Sequence, residues 1–181
     1  MSVNDPLPWI EPVCALIRDA VTREIPVIGH CLGGQLLSKA LGGTVSRNPV
    51  KEIGWSEAGA ENSAVARHWL GDYAGHIGTI FQWHGETFSL PTGASRLLTN
   101  AHCANQMFAQ GPHLGMQCHV EMTPEMIATW CGQWADEAIA AADQASVQQP
   151  AAMQACIADK LPIMRQLSDQ LYSVWIRGLR R

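Results

Sequence analysis

A chain of 181 residues with 47% apolar and 15% charged side chains has material for one core and too little length for two independent ones. The formal charge of −4 leaves basic residues sparse except near the end, where Arg177, Arg180 and Arg181 read as a solvated tail, and this excludes a nucleic-acid-binding surface. The opening MSVNDPLPWIEP has no basic start followed by an apolar stretch, and no apolar run is long enough to cross a bilayer, which predicts no membrane association and a cytoplasmic location. Six cysteines, none in a C-x-x-C pair, then read as reduced thiols.

Val13, Leu16, Ile17, Ala20 and Val21 recur at i, i+3, i+4, i+7 and i+8, which predicts a first helix with Pro12 in its opening turn. IPVIGH, residues 25–30, reads as a buried strand. LGGQLLSKALGG reads as a helix with Leu32, Leu36, Leu37, Ala40 and Leu41 inward, stopped by Gly42 and Gly43. Helix, buried strand, helix predicts a parallel sheet. The middle of the chain, from TVSRNPVKEIGW to HLGMQCHVE, breaks into short runs separated by Gly, Pro and Asn, the mark of strands and turns, with a helical patch at 64–70. Helix is expected again from Pro124 to about Ala141 and from Ile157 to Leu179, separated by the polar ASVQQPAA. Trp55, Trp69, Trp83, Trp130 and Trp134 are expected in the core or covering it, since no basic groove accompanies them. Cys14 and Cys156 fall in helical patterns and read as inert.

The stretch GHCLGGQ, residues 29–35, places Cys31 between glycines where the strand turns into the helix. That context reads as a nucleophile elbow: the first glycine allows close packing and the tight turn projects the thiol at the sheet's carboxyl edge. The next helix would aim its positive end and free N–H groups at the sulfur, with Leu32 supplying one N–H to an oxyanion. A nucleophilic thiol needs a base, and the base needs an orienting group. In GMQCHVE, strand alternation puts Gln117, His119 and Glu121 on one face, opposite Met116, Cys118 and Val120. His119 and Glu121 then point the same way, so the carboxylate can hold one ring nitrogen and leave the other for the sulfur. A metal site on His113, Cys118, His119 and Glu121 is disfavoured by the same alternation, because Cys118 faces away from His119.

PVIGHCLGGQLLSKALGG, EIGW (residues 52–55), FQWHGETFSLPTGASRLL (81–98), NQMF (105–108) and GMQCHVE together resemble the class I glutamine amidotransferase family, in the branch that is similar to the glutaminase domain of GMP synthetase. The resemblance covers roughly residues 1–125. It implies an α/β fold, with an open, mostly parallel sheet flanked by helices in a flavodoxin-like three-layer arrangement. The domain would span 1–135, with a helical C-terminal extension over 136–181 packed on it. It also implies a catalytic set of Cys31 as nucleophile, His119 as base and later acid, and Glu121 as orienter, with Leu32, Gly33 and Gln35 at the oxyanion and substrate. No metal and no cofactor are implied.

The implied reaction is cleavage of the side-chain amide of glutamine, or of a γ-glutamyl bond, through a γ-glutamyl thioester. Its partners would be that small molecule and an ammonia-accepting synthetase, with a homo-oligomer as a further expectation from the helical tail. The alternative is a weak or inactive scaffold that binds a partner protein. Val120 stands where the family has Pro, Cys118 where it has an aromatic residue, and Glu86 where Asp is usual. His84 reads as a structural or pocket-wall residue. His30 replaces an apolar residue and is expected to point away from the thiol. MSVNDP resembles the segment just after the family's glycine-rich oxyanion loop, so the working protein is expected to be longer than this chain, with the family's first strands and that loop ahead of residue 1. One lost oxyanion donor would lower turnover by about 10² to 10³, and without those strands the elbow strand would be left with an unpaired edge.

Overall fold

A computed structural model describes residues 1–179; Arg180 and Arg181 of the basic tail lie outside them. The strands are β1 (Ile28–His30), β2 (Val45–Ala60), β3 (Ile77–Phe88), β4 (Ser95–Thr99), β5 (Met107–Gln110) and β6 (His113–Met116). The helices are α1 (Ile10–Thr22), α2 (Leu32–Ala40), α3 (Ala64–Leu70), α4 (Pro124–Gln133), α5 (Ala135–Ala140), α6 (Pro150–Ala155) and α7 (Ile157–Gly178).

One six-stranded sheet runs in the order β1-β6-β5-β4-β2-β3. Its strand directions correct the mostly parallel sheet expected from the sequence: β1 and β6 are parallel, from Ile28 against Leu114 to His30 against Met116, and the other four pairings are antiparallel. The physical reason lies in the connections. A crossover helix comes after β1, which permits a parallel neighbour, whereas β5 turns directly into β6 through Gly111 and Pro112, and a two-residue hairpin can only join antiparallel strands. Gly111, at φ 56°, supplies the left-handed residue that such a turn requires. β1 pairs only with β6 and forms an edge of the sheet among the described residues.

Alternate residues of β5 separate two apolar cores. Phe108 packs with Val3, Ile10, Cys14, Leu36, Leu37, Val45 and Phe88 under α1 and α2, while Met107 and Ala109 belong to the larger core under α3, α4, α6 and α7. The sheet is therefore covered on both faces. On α1 the inward stripe is centred on Ile10 and Cys14, with Val13, Ile17 and Val21 half-buried, and Leu16, expected inward, is 68% exposed. On α2, residues Gly34 to Ser38 are all buried because the helix is wedged between α1 and the strands β1 and β6. Gly42, at φ 89°, ends it. Leu161, Met164, Leu167, Leu171 and Val174 form the buried stripe of α7 and share the larger core with Trp69, Leu70 and Ile80. The polar break before α6 is pinned to β2, where Ile53 N–H donates to the Ser146 carbonyl at 3.0 Å and Gln148 N–H to the Ile53 carbonyl at 2.9 Å.

Candidate active site

Cys31 is the residue between β1 and α2, and it sits at φ 47°, ψ −107°, a conformation that costs a non-glycine residue about 1–3 kcal/mol. The glycines around it make the turn possible by letting backbones touch. A Cβ on Gly29 would lie 2.4 Å from the carbonyl carbon and oxygen of Gly33, and one on Gly34 would lie 2.3 Å from the Met116 carbonyl oxygen. Gly33 has open space where its side chain would be. The Gln35 N–H donates to the Cys31 carbonyl at 2.9 Å, so the N–H groups of Leu32 and Gly33 fall outside the helical ladder, at the positive end of α2.

β6 ends at Met116, three residues before His119, so the regular strand expected through 121 is corrected to a bend at Gln117 and Cys118 and then a single bridge. That bridge holds His119 firmly. Its N–H donates to the Phe81 carbonyl at 2.8 Å, and its carbonyl accepts from the Phe81 N–H at 3.0 Å. The side chains of His119 and Glu121 still meet, with Nδ1 and Oε1 at 2.6 Å. Since a carboxylate accepts, Nδ1 carries the proton and Nε2 is left for Cys31, whose Sγ lies 4.0 Å from the Trp83 carbonyl oxygen. Trp130 of α4 stands edge-on to the imidazole with centroids 4.8 Å apart. Burial alone pulls His119 toward its neutral form, but the hydrogen bonds and charges of Cys31 and Glu121 outweigh it and push its pKa up to about 9. Burial raises Glu121 as well, and the hydrogen bond and charge of His119, then the charge of His30, bring it below the ordinary carboxylate value.

The sulfur has a further neighbour. Gln117 Nε2 points at Cys31 Sγ from 3.5 Å, and Gln35 Nε2 donates to Gln117 Oε1 at 3.1 Å. Gln35, expected at the substrate, is 3% exposed, with its amide given to Gln117 behind the nucleophile. Leu32 is half-buried in the first turn of α2. His84 is buried, with Nδ1 on the Glu86 carbonyl at 2.9 Å and Nε2 3.1 Å from Glu52 Oε2, as a structural residue would be. Cys103 lies beside that pair, and these three form the group of metal-type donors among the described residues. The four-residue metal site weighed from the sequence does not assemble: His113 Nδ1 accepts from the Val27 N–H and the Cys118 thiol faces the Gln106 carbonyl. His30 turns its ring to Glu121 and to Tyr172 of α7. Trp130 and Tyr172 were missed as site residues, because helical periodicity marks a side chain as inward without saying what it meets there. Gln117 carried a signal, sharing the expected face of His119 and Glu121.

Comparison with known proteins places this geometry. The family model described as glutamine amidotransferase class-I matches residues 3–129. The chain belongs to the class I glutamine amidotransferase family. It is 36% identical over 121 residues to the glutamine amidotransferase-like protein YfeJ of Salmonella typhimurium, covering 62% of this chain and 47% of that one. It is 30% identical over 107 residues to the glutamine-hydrolyzing GMP synthase of Paraburkholderia phymatum, covering 55% of this chain and 20% of that protein. The chain thus spans about half or less of the length of these curated relatives. A crystal structure of a glutamine amido transferase from Methylobacillus flagellatus superposes with a TM-score of 0.95 at 42% identity, covering 100% of this chain and 74% of that one. A glutamine amidotransferase from Thermotoga maritima gives a TM-score of 0.83 at 27% identity over 97% of this chain and 74% of its own. Among the described residues no helix is long and apolar enough to cross a membrane.

For this family member the His119–Glu121 pair has a consequence for stability. A histidine whose folded pKa is raised contributes stability that is complete below its unfolded value near 6.5 and is lost as pH climbs through about 9. Glu121, with its folded pKa lowered, contributes above its unfolded value and loses that contribution as pH falls through the folded one. Unfolding free energies from urea titrations are expected to fall between pH 6 and pH 9.5 for the native chain by more than for His119→Gln, the difference reaching about 3 kcal/mol at most. Parallel losses in the two proteins would remove the coupling.

Proposed function

We propose that the chain cleaves the side-chain amide of glutamine, or a γ-glutamyl bond in a small molecule, with Cys31 as nucleophile, His119 as acid and base, and Glu121 as the group that orients the ring. The observation that carries this reading is one imidazole held between a strained elbow cysteine and a carboxylate at 2.6 Å. Cys31 sulfur attacks the amide carbon, and the carbonyl oxygen gains the negative charge. Leu32 and Gly33 present N–H groups that no helical carbonyl takes, and these face that charge. Collapse of the tetrahedral species breaks the carbon–nitrogen bond. His119, whose pKa is pushed up to about 9 and which takes the thiol proton as the sulfur attacks, gives a proton to the departing nitrogen. The neutral ring then accepts a proton from water, hydroxide adds to the thioester carbon, and a second collapse returns the sulfur and releases glutamate.

Gln117 donates to the sulfur throughout and Gln35 holds Gln117, so Gln35 acts on the site from behind instead of touching substrate. Trp130 shields the imidazole from water on one side. The ammonia so formed would serve an acceptor enzyme; the GMP synthase relative is described as glutamine-hydrolyzing. The test is to treat the protein with a glutamine analogue carrying a diazoketone in place of the amide and to map the adduct by peptide mass spectrometry, with Cys31→Ala as control. A single adduct on Cys31 is expected. Ammonia release from glutamine and amine release from a γ-glutamyl peptide, assayed side by side, then assign the substrate. Folded protein that takes no label at Cys31 and releases neither product would leave the partner-binding scaffold in place of the enzyme.

A further inference from the structure

The family match ends at residue 129, yet α7, beyond it, reaches the site. Glu121 uses Oε1 for His119, and Oε2 is buried with no hydrogen-bond partner among the described residues. A buried carboxylate oxygen without a donor leaves the group free to turn about its last bond, and each turn costs the His119 contact. His30 faces it, with Nε2 at 3.6 Å from Oε2. The same Nε2 is 2.9 Å from Tyr172 Oη on α7. The Tyr172 oxygen can accept from a proton on His30 Nε2, and that N–H then lies between the phenol oxygen and Glu121 Oε2.

We infer that His30 and Tyr172 are positioning residues which clamp the outer oxygen of Glu121 and so hold the carboxylate in register with His119. This deepens the reading of Cys31, His119 and Glu121 as a catalytic relay and rests on it. The side chain before the nucleophile then has a use that the neighbouring backbone cannot supply, since His30 contacts the carboxylate and leaves the thiol alone. It also makes α7 part of the site. Burial lowers the His30 pKa more than the charge of Glu121 raises it, with the charge of His119 also opposing protonation, so His30 stands beside the carboxylate as a neutral ring rather than as a competing cation. The groups facing Glu121 are His119, His30, Tyr172 and Cys118, and those facing Tyr172 are His30, Ser168, Cys118 and Glu121 itself.

The clamp is read by NMR titration of the His119 ring in the full chain, assigned with His119→Gln, together with the rate of iodoacetamide addition to Cys31 at pH 7 monitored on its peptide. In His30→Leu the His119 midpoint is expected to fall by about one pH unit and alkylation to slow by about tenfold. In Tyr172→Phe, which deletes one hydroxyl and leaves packing intact, the same changes are expected at about a third of that size in rate. His30→Gln, whose amide nitrogen can occupy the place of Nε2, is expected to restore most of the native profile. Folded His30→Leu and Tyr172→Phe proteins with a native His119 midpoint would overturn the inference while leaving the relay intact. A native protein whose His119 titrates in the ordinary histidine range would overturn the relay, and the clamp with it.

Discussion

If the proposed reaction holds, replacing His119 with glutamine is expected to lower the rate of product release from glutamine or a γ-glutamyl compound by about 10³-fold, with the fold retained. The size reflects the number of proton movements that pass through one ring. In the proposed cycle His119 gives a proton to the departing nitrogen and later takes one from water, and glutamine can do neither, although its shape and its hydrogen-bonding capacity preserve the contact to Glu121. Neither of the other histidines near the site can take over. His84 is buried, with Nδ1 on the Glu86 carbonyl and Nε2 beside Glu52. His30 is turned to Tyr172 and Glu121. The measurement is steady-state release of ammonia or amine, paired with far-UV circular dichroism to confirm the fold. If labelling of Cys31 by the diazoketone analogue persists while turnover collapses, the ring is needed for the proton steps and not for holding the cysteine. Turnover within threefold of the native protein would remove His119 from the mechanism.

The parts of this molecule that were legible in its sequence are those fixed by local chemistry. The turn at Cys31 was legible because glycines on both sides of a residue between an apolar run and an amphipathic run leave few other conformations, and Cys31 does adopt positive φ there. The meeting of His119 and Glu121 was legible because two residues separated by one share a side in extended chain, and this survived even though β6 ends earlier than expected. Strand direction was not legible. A buried three-residue strand such as β1 looks alike in a parallel or a mixed sheet, and the pairing partner of each later strand is set by turn geometry and by contacts far along the chain. The orientation of His30 was hidden for the same reason. Alternation says that it does not share the side of Cys31, but the phenol that fixes it comes from a helix 142 residues away. The buried stripe on α1 was displaced by one position because Ile10, ahead of the predicted start, anchors the helix, so that Cys14 turns inward and Leu16 outward.

The second large effect concerns two adjacent glycines that the sequence presents as equivalent. Gly33→Ala and Gly34→Ala both replace the poorest non-proline helix former with the best one, and each would add up to about 1 kcal/mol of helix stability if α2 stood alone. Their surroundings decide otherwise. Nothing lies within 4 Å of a Cβ at Gly33, so alanine is accommodated and the helix gains, with Tm unchanged or raised by about 1–3 °C. A Cβ at Gly34 would lie 2.3 Å from the Met116 carbonyl oxygen and 2.8 Å from the Met116 nitrogen. These are backbone atoms of β6, held by pairing to β1 and β5, and they cannot swing aside as the end of a side chain could. Relief requires α2 to lift from the sheet by about an ångström, which opens the core around Leu36 and Leu37 and costs about 3 kcal/mol or more, or about 6–12 °C in Tm. The same displacement carries Cys31, the first residue of that helix's cap, away from His119, which lies just beyond Met116 on the chain that α2 rests upon. Thermal unfolding of the two variants, with iodoacetamide addition to Cys31 measured on each, therefore separates helix propensity from seating: Gly33→Ala keeps both stability and thiol reactivity, and Gly34→Ala loses both together. Equal stability of the two would mean that α2 does not rest on β6 at this contact, and the placement of the nucleophile beside its base would lose its structural cause.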